Sequence, residues 1–286
     1  MNINWYPGHM KKTKETIKKS LSMVDIVYEV IDARIPYSSR NPDIDEIIGN
    51  KPRLIIMAKK DLADEKANEL WDIYFKQKGI PSINVDNLKN EGIEDIVKMS
   101  YKLTEEKIKA LEKKGIKNRP IRVMIIGIPN VGKSTLINSL TKRKGAKVGN
   151  KPGVTKTNQW IKIKGNLELL DTPGILWPKF EDKDIALNLA FTGAIKDELL
   201  DLETLALELV KKLNSISPDF LTNRYNIINT KKSAYDTIME IGKKRGCIVK
   251  GGEVDFLKTS NIILDEFRRG YLGKITLELP EKINNI

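Results

Sequence analysis

The fold is decided by one stretch of the sequence, RVMIIGIPNVGKSTLINSL at residues 122–140. Residues 122–127 form an apolar run typical of a buried strand, and residues 135–140 have helical character. Between them, GIPNVGKS at residues 127–134 fits the pattern G-x-x-x-x-G-K-[ST]. Because the motif follows a strand and precedes a helix, it predicts a phosphate-binding P-loop, and an ordinary glycine turn is a poor alternative.

Each position of this loop has a chemical reason. The two glycines let backbone N–H groups point at phosphate oxygens, with help from the helix N-terminus that follows. Lys133 is expected to reach the outer phosphates and to take part in catalysis, and Ser134 is expected to ligate Mg²⁺. The predicted nucleotide-binding residues of the loop are Gly127, Asn130, Val131, Gly132, Lys133, Ser134 and Thr135.

Two further motifs follow the P-loop, PGVT at residues 152–155 and DTPG at residues 171–174. Asp171, at the end of a predicted strand, is expected to hold the Mg²⁺ shell. Gly174 is expected to offer its N–H to the γ-phosphate, so that the loop orders only with a triphosphate. Thr155 lies between the two motifs, where a threonine would complete the shell. The predicted magnesium ligands are therefore Ser134, Thr155 and Asp171.

Buried apolar runs alternate with helical segments in the first part of the chain. The runs cover residues 25–31, 53–58, 81–85 and 122–127, the helical segments cover residues 63–78 and 93–114, and residues 160–164 and 166–170 have the pattern of an antiparallel hairpin. This alternation predicts an α/β fold with a mostly parallel sheet covered on both faces. Helical periodicity prevails later, at residues 185–195, 200–213, 231–244 and 255–268. We therefore predict a P-loop domain at residues 1–182 and a small helical domain at residues 183–286.

Recognition of a guanine base requires another motif, usually N-K-x-D, whose aspartate accepts hydrogen bonds from N1–H and the 2-amino group. Nothing after Gly174 fits, but upstream the buried run at residues 53–57 leads directly into Ala58-Lys59-Lys60-Asp61. A parallel sheet can be cut and rejoined without changing its three-dimensional site. The order therefore predicts a circularly permuted P-loop GTPase domain. The alternative is that AKKD is a charged loop after an unrelated strand.

The next apolar run supports the permuted order. It ends at Val85 and is followed by Asp86 and Asn87, where a second base-contacting loop is expected. The predicted base-side residues are Ala58, Lys59, Lys60, Asp61, Asp86 and Asn87.

The motifs taken together resemble a known family. The order AKKD, GIPNVGKS, PGVT and DTPG, with NWYPGHM at residues 4–10 and DARIPYSSRNP at residues 32–42, is similar to the circularly permuted ribosome-biogenesis GTPases of the YlqF/RbgA type. The likeness continues through WPKFED at residues 177–182, TGAIKD at 192–197 and GKKRGC at 242–247. It implies a GTP hydrolase that binds the large ribosomal subunit late in assembly and leaves after hydrolysis.

One position departs from the family pattern, since Ala58 stands where asparagine is expected. In the family that asparagine bridges the guanine base and the P-loop, so its absence is expected to affect the affinity for the nucleotide. Asp61 still supplies the guanine-selective carboxylate and Lys59 a stem for stacking. We therefore expect GTP and GDP as nucleotides, with Mg²⁺ and K⁺ as cofactors.

Hydrolysis cannot follow the Ras pattern, because Ile175 occupies the position of the glutamine that orients the attacking water. Asn130 resembles the asparagine by which related GTPases hold K⁺ against the phosphates. The family resemblance assigns a catalytic role to the histidine of PGHM, here His9, whose neutral imidazole could accept a hydrogen bond from water. His9 could instead be a surface residue or an RNA contact, or serve both roles.

The charge of the chain favours a polyanionic partner. Fifty Lys and Arg against 38 Asp and Glu give a net charge of +12, which suits RNA, DNA or an anionic membrane, although it can also simply maintain solubility. The resemblance makes the partner the large ribosomal subunit precursor and its rRNA. The C-terminal candidates for RNA contact are Lys243, Lys244, Arg245, Lys250, Lys258, Arg268, Arg269 and Tyr271.

Other classes of protein are disfavoured by composition. No apolar run approaches the roughly 18 residues that cross a bilayer, and the N-terminal residues lack the apolar core of a signal peptide. Cys247 is the single cysteine, which excludes an intramolecular disulfide and a cysteine-based metal site. We predict a cytoplasmic monomer that does not associate with membranes. Two alternatives remain, a P-loop metabolic enzyme that uses a nucleoside triphosphate and an RNA-binding scaffold that does not hydrolyse its nucleotide.

Overall fold

The computed structural model describes residues 17–141, 160–170, 182–227 and 233–283. These residues fall into two compact units, of which one ends at Leu277 and the other resumes at Glu278. The sheet unit contains the described residues up to 170 together with 278–283, and the helical unit contains the described residues from 182 to 277. The sequence assigned residues 183–286 to the helical domain, and the structure differs at the C-terminus, where residues 278–283 belong with the sheet.

The sheet unit is built on six strands in the order β3-β2-β1-β4-β6-β5. They are β1 (Ile26–Asp32), β2 (Arg53–Ala58), β3 (Ser82–Val85), β4 (Ile121–Ile126), β5 (Trp160–Ile163) and β6 (Leu167–Leu170). All neighbouring pairs are parallel except β5 and β6, which form the antiparallel hairpin that the sequence predicted. The mostly parallel α/β sheet is thereby confirmed.

Helices cover both faces of this sheet. They are α1 (Ile44–Ile48), α2 (Glu65–Gln77), α3 (Ile93–Lys113) and α4 (Lys133–Leu140). On one face Trp71 and Phe75 of α2 pack against Ile55 and Met57 of β2. On the other, the hydroxyl of Tyr28 in β1 shares a buried hydrogen bond with Ser100 of α3. Burial on both faces explains why the strands are continuous apolar runs rather than alternating ones.

Helices α1 and α2 differ slightly from what the sequence predicted. Asp64 caps α2 by accepting a hydrogen bond from the Ala67 N–H at 2.8 Å, so the helix begins two residues later than Ala63. The short helix α1 was not among the elements predicted from the sequence. Its residues Ile44, Ile47 and Ile48 are buried, and tertiary packing rather than length stabilises it.

In its described residues the helical unit contains five α-helices and a 3₁₀ turn at Asp197–Leu199. The helices are α5 (Lys183–Phe191), α6 (Leu202–Ile216), α7 (Asp219–Tyr225), α8 (Ala234–Lys244) and α9 (Phe256–Arg268). The prediction that the first of them continues to Ile195 is wrong, because Gly193 adopts a left-handed conformation (φ +75°) just after the C-cap at Thr192. The sequence also missed α7. In the described part of the chain, no helix is both long enough and apolar enough to span a membrane.

Glu278, in the last described segment, binds residues of the sheet unit. The carboxylate of Glu278 accepts hydrogen bonds from the backbone N–H groups of Tyr37 (2.8 Å) and Ser38 (3.1 Å), and from the Ser38 hydroxyl. Its carbonyl oxygen accepts from the indole N–H of Trp71 at 3.1 Å. The segment ends in a short helix, α10 (Pro280–Ile283). One residue thus binds both the loop after β1 and the core of α2.

We expect Glu278→Ala to speed amide hydrogen exchange at Tyr37 and Ser38 roughly tenfold or more, because two buried N–H groups lose a charged acceptor. Exchange is measured residue by residue on the full chain without nucleotide. Glu106→Ala, an exposed change on α3, serves as the control and should leave both amides unchanged. Equal exchange in the two variants would show that Glu278 does not hold this loop.

Candidate nucleotide-binding site

The predicted site residues that the structure describes, on the AKKD loop, the loop after β3 and the P-loop, lie at one edge of the sheet. Asp32, Ala58 and Val85 pair across β1, β2 and β3 in a single row, and the P-loop leaves the carboxyl end of β4. In open α/β sheets, ligands bind outside the carboxyl ends of the strands. The AKKD loop, the loop after β3 and the P-loop are therefore neighbours in space although some 70 residues separate Lys59 from Asn130.

Glycine is required at both ends of the P-loop. Gly127 has φ +155°, and a Cβ there would lie 2.5 Å from the carbonyl oxygen of Val30 in β1. Gly132 has φ +107° and caps the N-terminus of α4. The loop therefore packs close to the sheet and leads directly into a helix whose first N–H groups are free of intrahelical partners. This is a backbone cradle suited to phosphate.

Lys133, the first residue of α4, points back along the loop. Its ammonium group donates to the carbonyl oxygens of Gly127, at 2.8 Å, and Ile128. Burial lowers the pKa of Lys133 to about 8, because no carboxylate of a described residue compensates for the lost hydration of its charge. A phosphate at this position would supply the missing negative charge.

The AKKD loop contacts the P-loop directly. Lys59 adopts a left-handed backbone (φ +62°), and its ammonium group donates to the carbonyl oxygen of Asn130 at 2.7 Å. A Cβ placed on Gly132 would lie 3.4 Å from the Cβ of Ala58. The two motifs that a GTPase needs for base and phosphate thus meet across the sheet edge. This contact is the geometric core of the permuted arrangement.

Asp61 follows in a 3₁₀ turn, Lys60–Leu62, and is partly buried. Burial raises the pKa of its carboxyl group, and the negative charge of Asp86 raises it further. A carboxylate that is partly removed from water and faces another acid gains from hydrogen-bond donors. The N1–H and 2-amino groups of guanine are donors of this kind.

The loop after β3 packs beside α4, the helix that follows the P-loop. The carboxylate of Asp86 is buried and accepts hydrogen bonds from the backbone N–H groups of Leu88 (2.9 Å) and Lys89 (3.1 Å), so it shapes the loop. The carbonyl oxygen of Asn87 accepts a hydrogen bond from Ser139 of α4 at 3.3 Å. The buried Oδ1 of Asn87 accepts no hydrogen bond from any described residue. Of Asp86 and Asn87, it is therefore Asn87 whose side-chain oxygen can accept a hydrogen bond from a ligand.

Comparison with known proteins identifies the family. Residues 122–235 match the model of the 50S ribosome-binding GTPase family. Ribosome biogenesis GTPase A of Bacillus cereus is 47% identical over 282 residues, covering 99% of this chain and 95% of that protein. The chain belongs to the ribosome biogenesis GTPase A family. It is a GTPase.

More distant relatives extend the likeness over nearly the whole chain. Ribosome biogenesis GTPase A of Thermotoga maritima is 31% identical, with 99% of this chain and 97% of that protein covered. A GDP-bound YlqF structure matches with a TM-score of 0.67 at 26% identity, covering 93% of this chain and 99% of the other. GNP-bound YlqF from T. maritima gives 0.64 at 27% identity, covering 94% and 99%. The resemblance and the fold read from the motifs are confirmed.

The structure adds three residues of this GTPase that the sequence did not single out as site residues, Asp32, Arg34 and Ser39. All three are buried. The carboxylate of Asp32 accepts from Arg34 at 2.8 and 3.0 Å and from Lys59 at 2.9 Å, and the Asp32 N–H donates to the Ser39 hydroxyl at 3.0 Å. A signal was available, because a charged DAR triplet follows a buried strand, but its side-chain partners could not be read from one sequence.

Several predicted residues lie outside the described ranges, namely His9, Thr155, Asp171 and Gly174. Of the predicted magnesium ligands only Ser134 is described, and it is exposed in the first turn of α4, as a ligand beside the phosphates would be. Among the described residues there is no group of three or more His, Cys, Asp or Glu that could hold a metal ion by itself. The magnesium ligand set of Ser134, Thr155 and Asp171 stays a prediction.

The lowered pKa of Lys133 predicts proton uptake when GDP binds. Above pH 8 the free GTPase has largely lost this proton, whereas bound phosphate favours the ammonium form. We expect GDP affinity to fall as pH rises above 8, with uptake of about three quarters of a proton at pH 8.5. Calorimetry in two buffers with different ionisation enthalpies measures this.

The matched control for this measurement is Lys133→Arg, because a guanidinium stays charged throughout the pH range. Its GDP binding, even if weaker, should take up far less proton at pH 8.5. The same uptake in both proteins would assign the proton to another group.

Proposed function

We propose that this GTPase binds the precursor of the large ribosomal subunit through its rRNA during late maturation and is released after GTP hydrolysis. The observation that carries the proposal is likeness along 99% of the chain to proteins named for ribosome biogenesis. The mouse relative, mitochondrial ribosome-associated GTPase 1, is 34% identical over 96% of this chain. A cytoplasmic monomer is the form in which we propose that it acts.

The net charge of +12 supports an RNA partner, since lysine and arginine gain affinity for phosphates by releasing counterions. In the helical unit, exposed cations include Lys243 and Lys244 in the last turn of α8, Lys250 in the turn after it and Lys258 on α9. Two of the arginines considered from sequence have other roles. Arg268 donates to the carbonyl oxygens at the end of α5 and to Asp197, and Arg245 pairs with the buried Glu266. RNA contact is therefore proposed for the four lysines and for the exposed Arg269 and Tyr271.

The charge-reversal test compares two double variants of equal charge change. Lys243→Glu/Lys244→Glu should weaken subunit binding and reduce the slope of log affinity against log salt by about two. Lys196→Glu/Lys211→Glu changes two exposed lysines elsewhere in the helical unit and should have a smaller effect. Equal losses in both would mean that net charge, and not this surface, governs binding.

Hydrolysis requires a group that replaces the missing glutamine. We propose that His9 positions the attacking water and that K⁺ beside the Asn130 side chain offsets charge on the phosphates. Ser134, Thr155 and Asp171 would hold Mg²⁺, which would supply positive charge to neutralise the negative charge that develops on the phosphates. Lys133 would hold the phosphates, and the cradle of backbone N–H groups would orient them. Several lysines follow His9 in the sequence, and we propose that their contact with the ribosomal subunit positions His9 for catalysis.

GTP turnover with and without large ribosomal subunits, in K⁺ and in Na⁺, tests this function. We expect strong stimulation by subunits, greater in K⁺, and loss of the stimulation in His9→Ala. Stimulation by a small metabolite would instead indicate a metabolic enzyme. No turnover under any condition would indicate an RNA-binding scaffold and overturn the proposal.

A further inference from the structure

Lys59 is held in one position by two acceptors. Its ammonium group lies 2.9 Å from Oδ2 of Asp32 and 2.7 Å from the carbonyl oxygen of Asn130. Its backbone is left-handed, at φ +62°, a conformation that is unfavourable for a residue other than glycine. A lysine side chain loses much rotamer freedom when it is fixed in this way. The two contacts must offset that cost for the stem of Lys59 to stay in place.

Asp32 is itself fixed by its surroundings. Arg34 binds its carboxylate with two guanidinium nitrogens and with its backbone N–H at 3.0 Å. Asp32 and Arg34 are each about 1% exposed. Burial alone would raise the pKa of Asp32, but the positive charges of Arg34 and Lys59 outweigh it and hold that pKa well below its usual range. The carboxylate is therefore ionised at every pH at which the GTPase works.

Arg34 would be sufficient to neutralise Asp32, so the lysine is an additional cation in the cluster. A buried ion pair contributes little net stability compared with apolar residues of similar volume. The arrangement is better explained by what it positions. Lys59, in the base-recognition loop after β2, connects Asp32 at the end of β1 to Asn130 in the P-loop.

The contact between Lys59 and the P-loop is important because residue 58 is alanine. The asparagine that the family resemblance leads one to expect at this position would tie the base-recognition strand to the P-loop through its side chain. The methyl group of Ala58 offers only van der Waals contact toward Gly132. In this chain the Lys59 ammonium makes a polar tie between the same two loops, and Asp32 holds that ammonium from behind.

We propose that Asp32 is a positioning residue for guanine-nucleotide binding, which acts by fixing Lys59 between the end of β1 and the P-loop. The stem of Lys59 then forms a preordered surface for the purine beside Asp61. Preorganisation of this kind raises affinity because the side chain does not have to be ordered when the ligand binds. Asp32 should therefore affect the binding of GDP and GTP without affecting the chemical step.

The primary test is Asp32→Asn, which keeps the size of the side chain and removes its charge. We expect GDP to bind roughly 10- to 100-fold more weakly, with KM for GTP raised and kcat at saturating GTP nearly unchanged. Asp25→Asn is the matched control. Asp25 precedes the same strand at its opposite end, is 3% exposed and pairs with Lys107 and Arg119. It should destabilise the fold to a similar degree without changing nucleotide affinity.

A double-mutant cycle separates positioning from general damage. Lys59→Met keeps the apolar stem and removes the ammonium, so it should weaken GDP binding about as much as Asp32→Asn. In the Lys59→Met background, Asp32→Asn should cause little further loss, because the two residues act through one contact. Fully additive losses would overturn the proposal, as would equal losses in Asp32→Asn and Asp25→Asn. If Asp32→Asn does not fold, unchanged GDP affinity in Lys59→Met alone would still refute it.

Discussion

Replacing Lys133 with alanine should lower the affinity for GDP and GTP by roughly 10²- to 10³-fold, because charge-assisted hydrogen bonds to phosphate are lost from a partly buried position. Titration of a fluorescent GDP analogue measures the change. The free protein should be as stable as the wild type or slightly more so below pH 8, because burial already disfavours the charged form of Lys133.

Lys98→Ala is a suitable control for this experiment, since Lys98 is exposed on α3 and forms only a long ion pair, 3.7 Å, with Asp95. Its nucleotide affinity should equal that of the wild type. If Lys133→Ala bound GDP within threefold of the control, the loop at residues 127–134 would not be the phosphate site.

Asp61→Asn should change the base preference of the GTPase from guanine to xanthine. We expect the Asp61 carboxylate to accept hydrogen bonds from both guanine donors, whereas an amide could accept one and would present an N–H to the other donor. We expect GDP affinity to fall by roughly 10²- to 10⁴-fold, from two charged hydrogen bonds at about 1.5–3 kcal/mol each. Xanthosine diphosphate, which carries a carbonyl at C2, should bind the variant better than GDP does.

Competition of the two diphosphates against one fluorescent probe measures this exchange. Asp64→Asn, three residues along the chain, is the control, because the Asp64 carboxylate caps α2 by accepting the Ala67 N–H. It should cost some stability and leave the preference for guanine intact. An Asp61→Asn protein that still preferred GDP would show that the AKKD loop does not read the base.

Much of the sheet unit could be predicted because its signals are local. The buried runs of β1, β2 and β4 are continuous and apolar, and the P-loop pattern fixes a strand before it and a helix after it. The permuted order followed from chemistry, since a guanine-specific carboxylate was needed and Asp61 stood after a buried strand. Parallel pairing in one row then brought Asp32, Ala58 and Val85 to the same edge.

The parts that the sequence did not reveal depend on contacts between distant residues. Arg34 looks like a surface arginine in the sequence, and only the fold shows that it is buried against Asp32. Glu278 follows the helical unit in sequence, yet its carboxylate binds a loop about 240 residues earlier. Short helices such as α1 and α7 carry too little periodicity to be distinguished from loops.

The bridge from Lys59 to the P-loop illustrates the same limit. The AKKD pattern indicated a lysine whose stem could stack on a base, but not that its ammonium group reaches the carbonyl oxygen of Asn130. The asparagine missing at residue 58 suggested a weaker site. In the fold, the Lys59 ammonium connects the AKKD loop to the P-loop. No periodicity or spacing in the sequence predicts this contact.

A crystal structure of the GTPase with bound GDP tests the central claim most directly. The account predicts that the carboxylate of Asp61 lies within hydrogen-bond distance of guanine N1 and the 2-amino group while the β-phosphate rests in the loop that begins at Gly127, against Lys133. A diphosphate in that loop with its base directed away from Asp61 would contradict it.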